Sequence, residues 1–515
     1  MFLPLWLVTV LSFLNLGWPL PFDARQASEK AREKFVVAHV IVGNTYPYTH
    51  NTWMTDIKLA HANGIDAFAL NVGPTPWQKD RVTDAYNAAR DSGTGFKMFI
   101  SLDMTILPCM GTNDAILLRN YITSFASHPA QFRFKNKAFV STFNGDGCTF
   151  GMATTEQGWK EQFTDRLEGE NAALFVPSFF MDPAGFKNFS AMDGASHWIG
   201  AWPTELTAPK LSRMISFLKS DPKDLSKAPI PIPANLTPIA GVVSRLESTL
   251  PFKKRDVDVR TQLAAALAGA INFDSDNRVT ANLGTSGDAG AGNIFMTSVS
   301  PWFYTHYGAT SLNKNWLYRA DDWLYNTRWD QLVQFRNKVD IVQVISWNDY
   351  GESTYVGPLT GAIPSSTTWI NDFDHQGWLN MTFYYATAFK TGQYPIIVKD
   401  RIFLFARPHP ANAKASNDTI EKPRDFELTE DRLGAVVFAS APGTVTLSAD
   451  PSKPDTFEVP AGVSKLQIPL VPGQGIAATL TRNGTTVIKM KPDFHFDPNP
   501  AKYNYNAATF FAVAP

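Results

Sequence analysis

Residues Asp340–Gly357 read DIVQVISWNDYGESTYVG, and the way this stretch changes character partway along decides the fold. Ile341-Val342-Gln343-Val344-Ile345 is an apolar, β-branched run of the kind that fills a buried strand. It ends in Ser346-Trp347-Asn348-Asp349-Tyr350-Gly351-Glu352-Ser353, which carries two carboxylates, two aromatics, an amide and a hinge glycine. A buried strand that breaks into acids and aromatics at its C-terminal end reads as the rim of a barrel or of an open α/β sheet. Two acids beside flat apolar rings suit glycosidic-bond cleavage. One carboxyl protonates the leaving oxygen, and the other activates water or attacks carbon.

The same pattern recurs upstream. Apolar runs occur at residues 35–43, 65–73, 96–104, 138–145, 173–180, 197–203 and 294–303, with helical patterning between several of them, as at 52–63, 77–92 and 114–127. Eight strand-like runs alternating with helices predict parallel β-structure with crossover helices, closed as a (β/α)8 TIM barrel over residues 34–392. In such a barrel the C-terminal strand ends share one mouth. Asn71, Asp103, Trp202, Trp302, Tyr304, Trp347, Asn348 and Tyr350 are therefore expected to line a cleft with Asp349 and Glu352. Asp66 opens its strand, which places it at the opposite mouth, where residues serve stability.

The pattern breaks at about 204–293, which is too long for an ordinary connection and reads as an inserted, partly flexible excursion. Asp274-Ser275-Asp276-Asn277 within it lacks the glycine and distal glutamate of a calcium loop and reads as a solvated turn. His197 reads as a satisfied interior group. From residue 395 to 515 short β-type runs alternate with turn residues, a β-sandwich pattern with a hairpin signal at Asn483-Gly484 and a structural role.

Net charge is -1, so nothing favours nucleic acid or an anionic membrane as a partner. No HExxH, G-x-S-x-G, P-loop or Rossmann fingerprint occurs, which removes metalloprotease, serine hydrolase, nucleotide enzyme and dehydrogenase readings. No cofactor or metal is expected. The two cysteines, Cys109 and Cys148, are expected to pair, closing a loop of about 40 residues worth ~3–4 kcal/mol. Residues 1–22 read as a signal peptide. With five glycosylation sequons (Asn188, Asn235, Asn380, Asn417, Asn483), they point to a secreted monomer, outside the cell or on its wall, with no membrane contact after leader removal.

KFVVAHVIVGNTYPYT, GIDAFALNVG, KMFISLDM, VSPWFYT and SWNDYGESTYVGP together resemble the fungal α-1,3-glucanases (mutanases) of glycoside hydrolase family 71. The resemblance implies a secreted or wall-associated barrel with a β-sandwich. It implies endo-acting hydrolysis of α-1,3-glucan with inversion and without a metal. The family's acidic pair maps onto Asp349 and Glu352, read here as base and acid in that order, with the reverse order open. A further important aspartate of the family matches Asp66, against the placement argument. The family is expected to have a shorter connection where residues 204–293 stand. The rival reading is a non-catalytic glucan-binding wall protein descended from such an enzyme; keeping both acids argues against it.

Overall fold

The computed structural model describes residues 32–202, 206–220, 224, 227–230, 232, 255–269, 273–283, 293–364 and 367–515. The predicted signal peptide, and about half of the stretch expected to be partly flexible, lie outside the described residues. One curled sheet holds eight parallel strands, β1 (Phe35–Ile41), β2 (Ala67–Val72), β3 (Lys97–Asp103), β4 (Lys137–Phe143), β5 (Ala173–Phe175), β6 (Gly194–His197), β7 (Ile294–Val299) and β8 (Ile341–Val344), and a two-residue antiparallel strand, Arg133–Phe134, on β4. Each strand from β1 to β4 pairs with the next, β6 pairs with β7, β7 with β8, and β8 with β1. Between β5 and β6 the backbone of Asp193 donates to the Phe175 carbonyl (2.8 Å), and that of Ser196 to the Pro177 carbonyl (2.8 Å).

Alternation along each strand separates two cores, because successive side chains point to opposite faces. Val37, Ala69, Phe99, Phe139, Leu174, Met296 and Ile341 form the cluster on the concave face. Val36, Phe68, Met98, Val140 and Val342 belong to the larger core on the outer face, which takes in residues of the helices. Toward the C-terminal strand ends the concave positions turn small and polar: His39, Asn71, Ser101, Ser141, Ser298 and Gln343, all buried. The apolar plug stops one layer below the mouth, so the mouth has a polar floor.

The described helices are α1 (His50–Ala62), α2 (Gln78–Asp91), α3 (Thr112–Phe125), α4 (Ala208–Lys219), α5 (Arg255–Gly269), α6 (Asp274–Asn282), α7 (Leu324–Gln334) and α8 (Gln376–Thr391). Crossovers after β4 and β5 are short irregular turns, Thr155–Arg166 and Pro183–Asn188. The sixth strand lies earlier than the 197–203 run: it uses the small residues Gly194-Ala195-Ser196, and Trp198–Ala201 is a 3-10 turn. The predicted excursion at 204–293 contains α4, α5 and α6, and Leu211, Met214, Leu218, Leu263 and Leu267 share an apolar cluster there. Asp274–Asn277 is not a solvated turn but the first turn of α6. Its Asp276 is fully buried, and Arg328 of α7 grips it through two hydrogen bonds of 2.8 and 2.9 Å.

Beyond α8 two antiparallel four-stranded sheets follow. The first orders β13 (Gly462–Pro469), β10 (Arg432–Ala439), β9 (Arg401–Ala406) and β16 (Ala508–Val513). The second orders β12 (Asp455–Val459), β11 (Gly443–Ser448), β14 (Ala477–Arg482) and β15 (Thr485–Met490). Ile402 and Val437 of one sheet and Val445 and Leu480 of the other meet in one core. The β14–β15 turn is Asn483-Gly484, both with positive φ, as a tight hairpin of this hand requires. Cys109 and Cys148 are joined as a disulfide. Among the described residues no helix is long and apolar enough to cross a membrane.

Candidate active site

The loop after β8 is held at almost every residue. Ser346 N donates to the Thr354 carbonyl, and Val356 N donates back to Ser346, each at 2.9 Å. Asp349 N donates to the Ser346 hydroxyl at 2.7 Å. Asn348 clamps the loop to the end of β1: Ile41 N donates to its Oδ1 (2.8 Å), and its Nδ2 donates to the Ile41 carbonyl (3.1 Å). The Trp347 indole donates inward to Asp56 (2.9 Å), the Tyr350 hydroxyl to the Pro358 carbonyl (3.1 Å), and Ser353 Oγ to the Tyr304 carbonyl (2.8 Å). With those side chains spent on anchoring, Asp349 and Glu352 are the acids the loop leaves half-buried at the mouth.

A second element faces them. The hairpin of Tyr304–His306 and Asn315–Leu317 is tied to the loop by Tyr304 N, which donates to the Glu352 carbonyl at 3.1 Å. The hairpin delivers Lys314, whose ammonium donates to Glu352 Oε1 at 3.2 Å and also acts electrostatically on Asp349 and Asp103. Gly351 between the acids leaves room for the Tyr307 hydroxyl, which a Cβ there would meet at 2.8 Å and have to displace. Asp349 Oδ1 accepts Glu352 N at 3.1 Å. Burial first, and the neighbouring Glu352 charge second, push the Asp349 carboxyl up to about 8, against the pull of backbone donors and Lys314. Burial also raises Asp103, opposed by the Thr105 hydroxyl and backbone and by Lys314. One acid tends to hold its proton while the other has an ammonium partner, and such a pair can give a proton and take one in the same event.

Glu352 lies on the wall of a cavity of about 390 Å³, with Phe143, Trp198, Trp202, Phe303, Trp316 and Tyr318 around it. The rings brace one another: Phe303 lies 4.3 Å from Tyr318, and Trp202 lies 5.1 Å from Tyr318, between centroids. Flat apolar walls with convergent polar groups make a binding cleft.

Residues 32–224 and 257–514 match the sequence profile of glycosyl hydrolase family 71. The chain belongs to that family. It is 32% identical over 480 residues to the glucan endo-1,3-alpha-glucosidase agn1 of Schizosaccharomyces pombe, spanning 93% of this chain and 94% of that protein. A mutanase of Penicillium rubens is 27% identical over 493 residues (93% and 89%), and the ascus wall endo-1,3-alpha-glucanase of Schizosaccharomyces pombe 28% over 471 (88% and 91%). The match breaks only between 224 and 257. The departure from family 71 is therefore far narrower than the predicted 204–293, and α4 lies inside the matched part.

In this family 71 chain the predicted cleft residues separate into two groups. Asn71 sits at the top of β2, buried, on the concave face; Asp103 ends β3 within electrostatic reach of Lys314; Trp202 lines the cavity. Trp347, Asn348 and Tyr350 do not wall the cleft: all three are buried and turned inward to hold the loop. Trp302 and Tyr304 are also withdrawn, because their polar tips donate to the Tyr505 and Tyr503 carbonyls of the C-terminal segment. Asp66 caps the opposite mouth, accepting Val36 N at 2.8 Å and pairing with Lys390 at 2.8 Å. Sequence reasoning missed Lys314, Trp198, Phe303, Trp316 and Tyr318. The dense string NKNWLYR at 313–319 was the available signal: aromatics and cations interleaved without helical period. His197 is not satisfied either, since its Nε2 is buried without a partner.

Proposed function

We propose that the protein is a secreted, endo-acting α-1,3-glucanase that hydrolyses α-1,3-glucosidic bonds with inversion. Asp349 is the general acid and Glu352 the general base. The observation that carries the assignment of roles is geometric: the Lys314 ammonium sits 3.2 Å from Glu352, while Asp349 is held by a backbone amide with Glu352 beside it. Asp349 is pushed toward its protonated form by burial and by Glu352, whereas Glu352 has Lys314 at 3.2 Å. This reverses the roles read from sequence. A protonated Asp349 donates to the leaving glycosidic oxygen. An ionised Glu352 takes a proton from water, which attacks the opposite face of the sugar ring and needs roughly 6.5–9.5 Å between the carboxyls.

The scaffold we infer is a closed (β/α)8 barrel, the β5–β6 seam bridged by the Asp193 and Ser196 backbone donors. The two C-terminal sheets form a β-sandwich that braces it. Trp302, Tyr304 and His375 reach Tyr505, Tyr503 and Ala507, and Arg407 pairs with Asp321. The disulfide, the leader-like N-terminus and the sequons support an extracellular location.

Incubation with α-1,3-glucan, α-1,4-glucan and β-1,3-glucan, followed by reducing ends, tests the linkage. Release from α-1,3-glucan alone is expected, with the β-anomer as first product by NMR. Preference for another glucan defeats the linkage assignment, and a first product of α-configuration defeats inversion.

A further inference from the structure

The hairpin that delivers Lys314 is held by more than the acid loop. β9 and β10 are neighbouring antiparallel strands, yet residues 407–431 separate them. About two to five residues close most such pairs, and connections beyond roughly 12–15 residues usually serve a function. Part of this connection lies against the hairpin. The His306 and Asp418 side chains are 5% and 2% exposed, and His306 Nε2 donates to Asp418 Oδ2 at 3.0 Å. The other ring nitrogen, Nδ1, stands 2.8 Å from Asn315 Oδ1, and Asn315 Nδ2 donates to the Glu421 carbonyl at 2.8 Å. Arg424 N donates to the Asn315 carbonyl (3.1 Å) and Leu317 N to the Arg424 carbonyl (3.3 Å), so Arg424 adds a rung to the hairpin's second strand. Its guanidinium lies 5.3 Å from the centre of the Trp316 ring.

Lys314 directly precedes Asn315, on which three of these contacts converge. The Lys314 side chain is half-exposed, long and flexible, so its ammonium keeps a place only as well as its backbone is fixed. Asp418 is fixed from its own side, because its Oδ1 accepts Ile420 N at 3.0 Å and its Oδ2 accepts Tyr503 N at 2.8 Å. Burial raises the Asp418 carboxyl, but those two amides and His306 outweigh it and hold the group below the ordinary carboxylate range. Asp418 therefore stays ionised where Asp349 titrates. The titratable groups facing Asp418 are His306 and the Tyr304 phenol; those facing Lys314 are Glu352, Asp349 and Asp103.

We propose that the β9–β10 connection is a strap by which the C-terminal sheets set the place of Lys314 beside the two acids. Asp418 is a positioning residue that acts through His306 and Asn315. The proposal rests on the acid and base roles given above and adds that the C-terminal sheets take part in the geometry of the reaction.

The test compares full-length Asp418→Ala, Asp418→Asn, Lys314→Met and the double variant Asp418→Ala/Lys314→Met on α-1,3-glucan, with the folded fraction fixed by urea titration. Asp418→Ala is expected to lower kcat/KM by about tenfold and to move the alkaline limb of its pH profile upward, as Lys314→Met does, because both take the ammonium away from Asp349. The double variant should be no slower than Lys314→Met alone, since two changes acting through one group do not add. Asp418→Asn, which keeps an oxygen for His306, should recover most of the rate. Asn315→Ala cuts the same tie from the hairpin side and carries the same expectation if Asp418→Ala fails to fold. A folded Asp418→Ala or Asn315→Ala with an unmoved limb, or a double variant whose losses multiply, overturns the strap while leaving the roles of the acids intact. A limb that Lys314→Met itself leaves in place overturns both.

Discussion

Two aspartates near the same sheet have opposite fates: Asp276, fully buried in the first turn of α6, and Asp349, half-buried in the loop after β8. Asp276 lies under α7 with Arg328 holding both its oxygens and the Thr297 hydroxyl donating to one of them. Asp349 stands at the mouth, its Oδ1 held by a backbone amide, a second carboxylate beside it and the nearest ammonium paired to that neighbour. Both carboxyls were taken out of water at a cost. At Asp276 protein charge offsets it, so the residue is scaffold. At Asp349 the cost remains as a raised proton affinity, the property an acid catalyst needs. The difference lies in satisfaction rather than in burial.

The sharpest way to break this contrast is to remove the reactive acids. Asp349→Asn and Glu352→Gln are each expected to lower kcat by about 10²–10⁴-fold, because a proton can no longer be delivered or accepted. Binding to insoluble α-1,3-glucan should persist in both. Near-normal turnover in either variant ends the pairing proposed for it. Asp349→Asn should also melt higher than the parent at neutral pH. The sign follows from linkage. The folded carboxyl keeps its proton up to about 8, while the unfolded one releases it near ~3.9, so charging Asp349 opposes folding increasingly as pH rises between those values. A neutral amide removes that opposition.

The scaffold half of the contrast predicts the reverse pattern. Arg328→Met leaves Asp276 buried without its cation and should cost ~3–5 kcal/mol, read as a lower midpoint in urea. Turnover per folded molecule should stay close to the parent's. A variant of unchanged stability but lost turnover would place Arg328 in the chemistry.

A smaller effect should come from Lys314, which stands between the two regimes as a half-exposed cation serving Glu352, Asp349 and Asp103. With Asp349 as acid, activity falls as pH rises through its titration near 8. Lys314 pulls that titration down, so Lys314→Met should move the alkaline limb to higher pH and lower kcat/KM by about tenfold, a loss of ~1.4 kcal/mol of transition-state binding. An alkaline limb that does not move removes Asp349 from the acid role.

What was legible in the sequence divides along the same line. Seven of the eight strands and the Asn483-Gly484 hairpin depend on neighbours in the chain and stand where their residues indicated, and the disulfide was legible by count, since two cysteines allow one pairing. The cleft walls depend on which way a side chain turns once its loop is folded, and local spacing carries little of that. Trp347, Asn348 and Tyr350 share a string with the acids yet point away from them, because a loop this short can expose two acids only by anchoring on everything else. Lys314 lies 38 residues from its partner Glu352, and only the hairpin fold brings them together. Asp276 went unread because its cation is 52 residues away.

Asp66 sets the two lines of sequence argument against each other, and a mild substitution decides between them. Its oxygens hold Val36 N and Lys390 Nζ, each at 2.8 Å, at the N-terminal strand ends, on the far side of the apolar plug from Glu352. The ion pair with Lys390 is more than a quarter exposed on both sides, so screening leaves it little value. The backbone cap on β1 is the larger contribution, about 1 kcal/mol. Asp66→Asn keeps an acceptor for Val36 and loses only the pair; Asp66→Ala loses both. Stability should therefore fall in the order parent, Asn, Ala by no more than ~1–2 kcal/mol in total, with kcat flat across the series. A steep drop in kcat at Asn, where the fold is barely touched, would mean that this far mouth reaches the chemistry and that the separation of reactive from scaffold acids is wrong for this barrel.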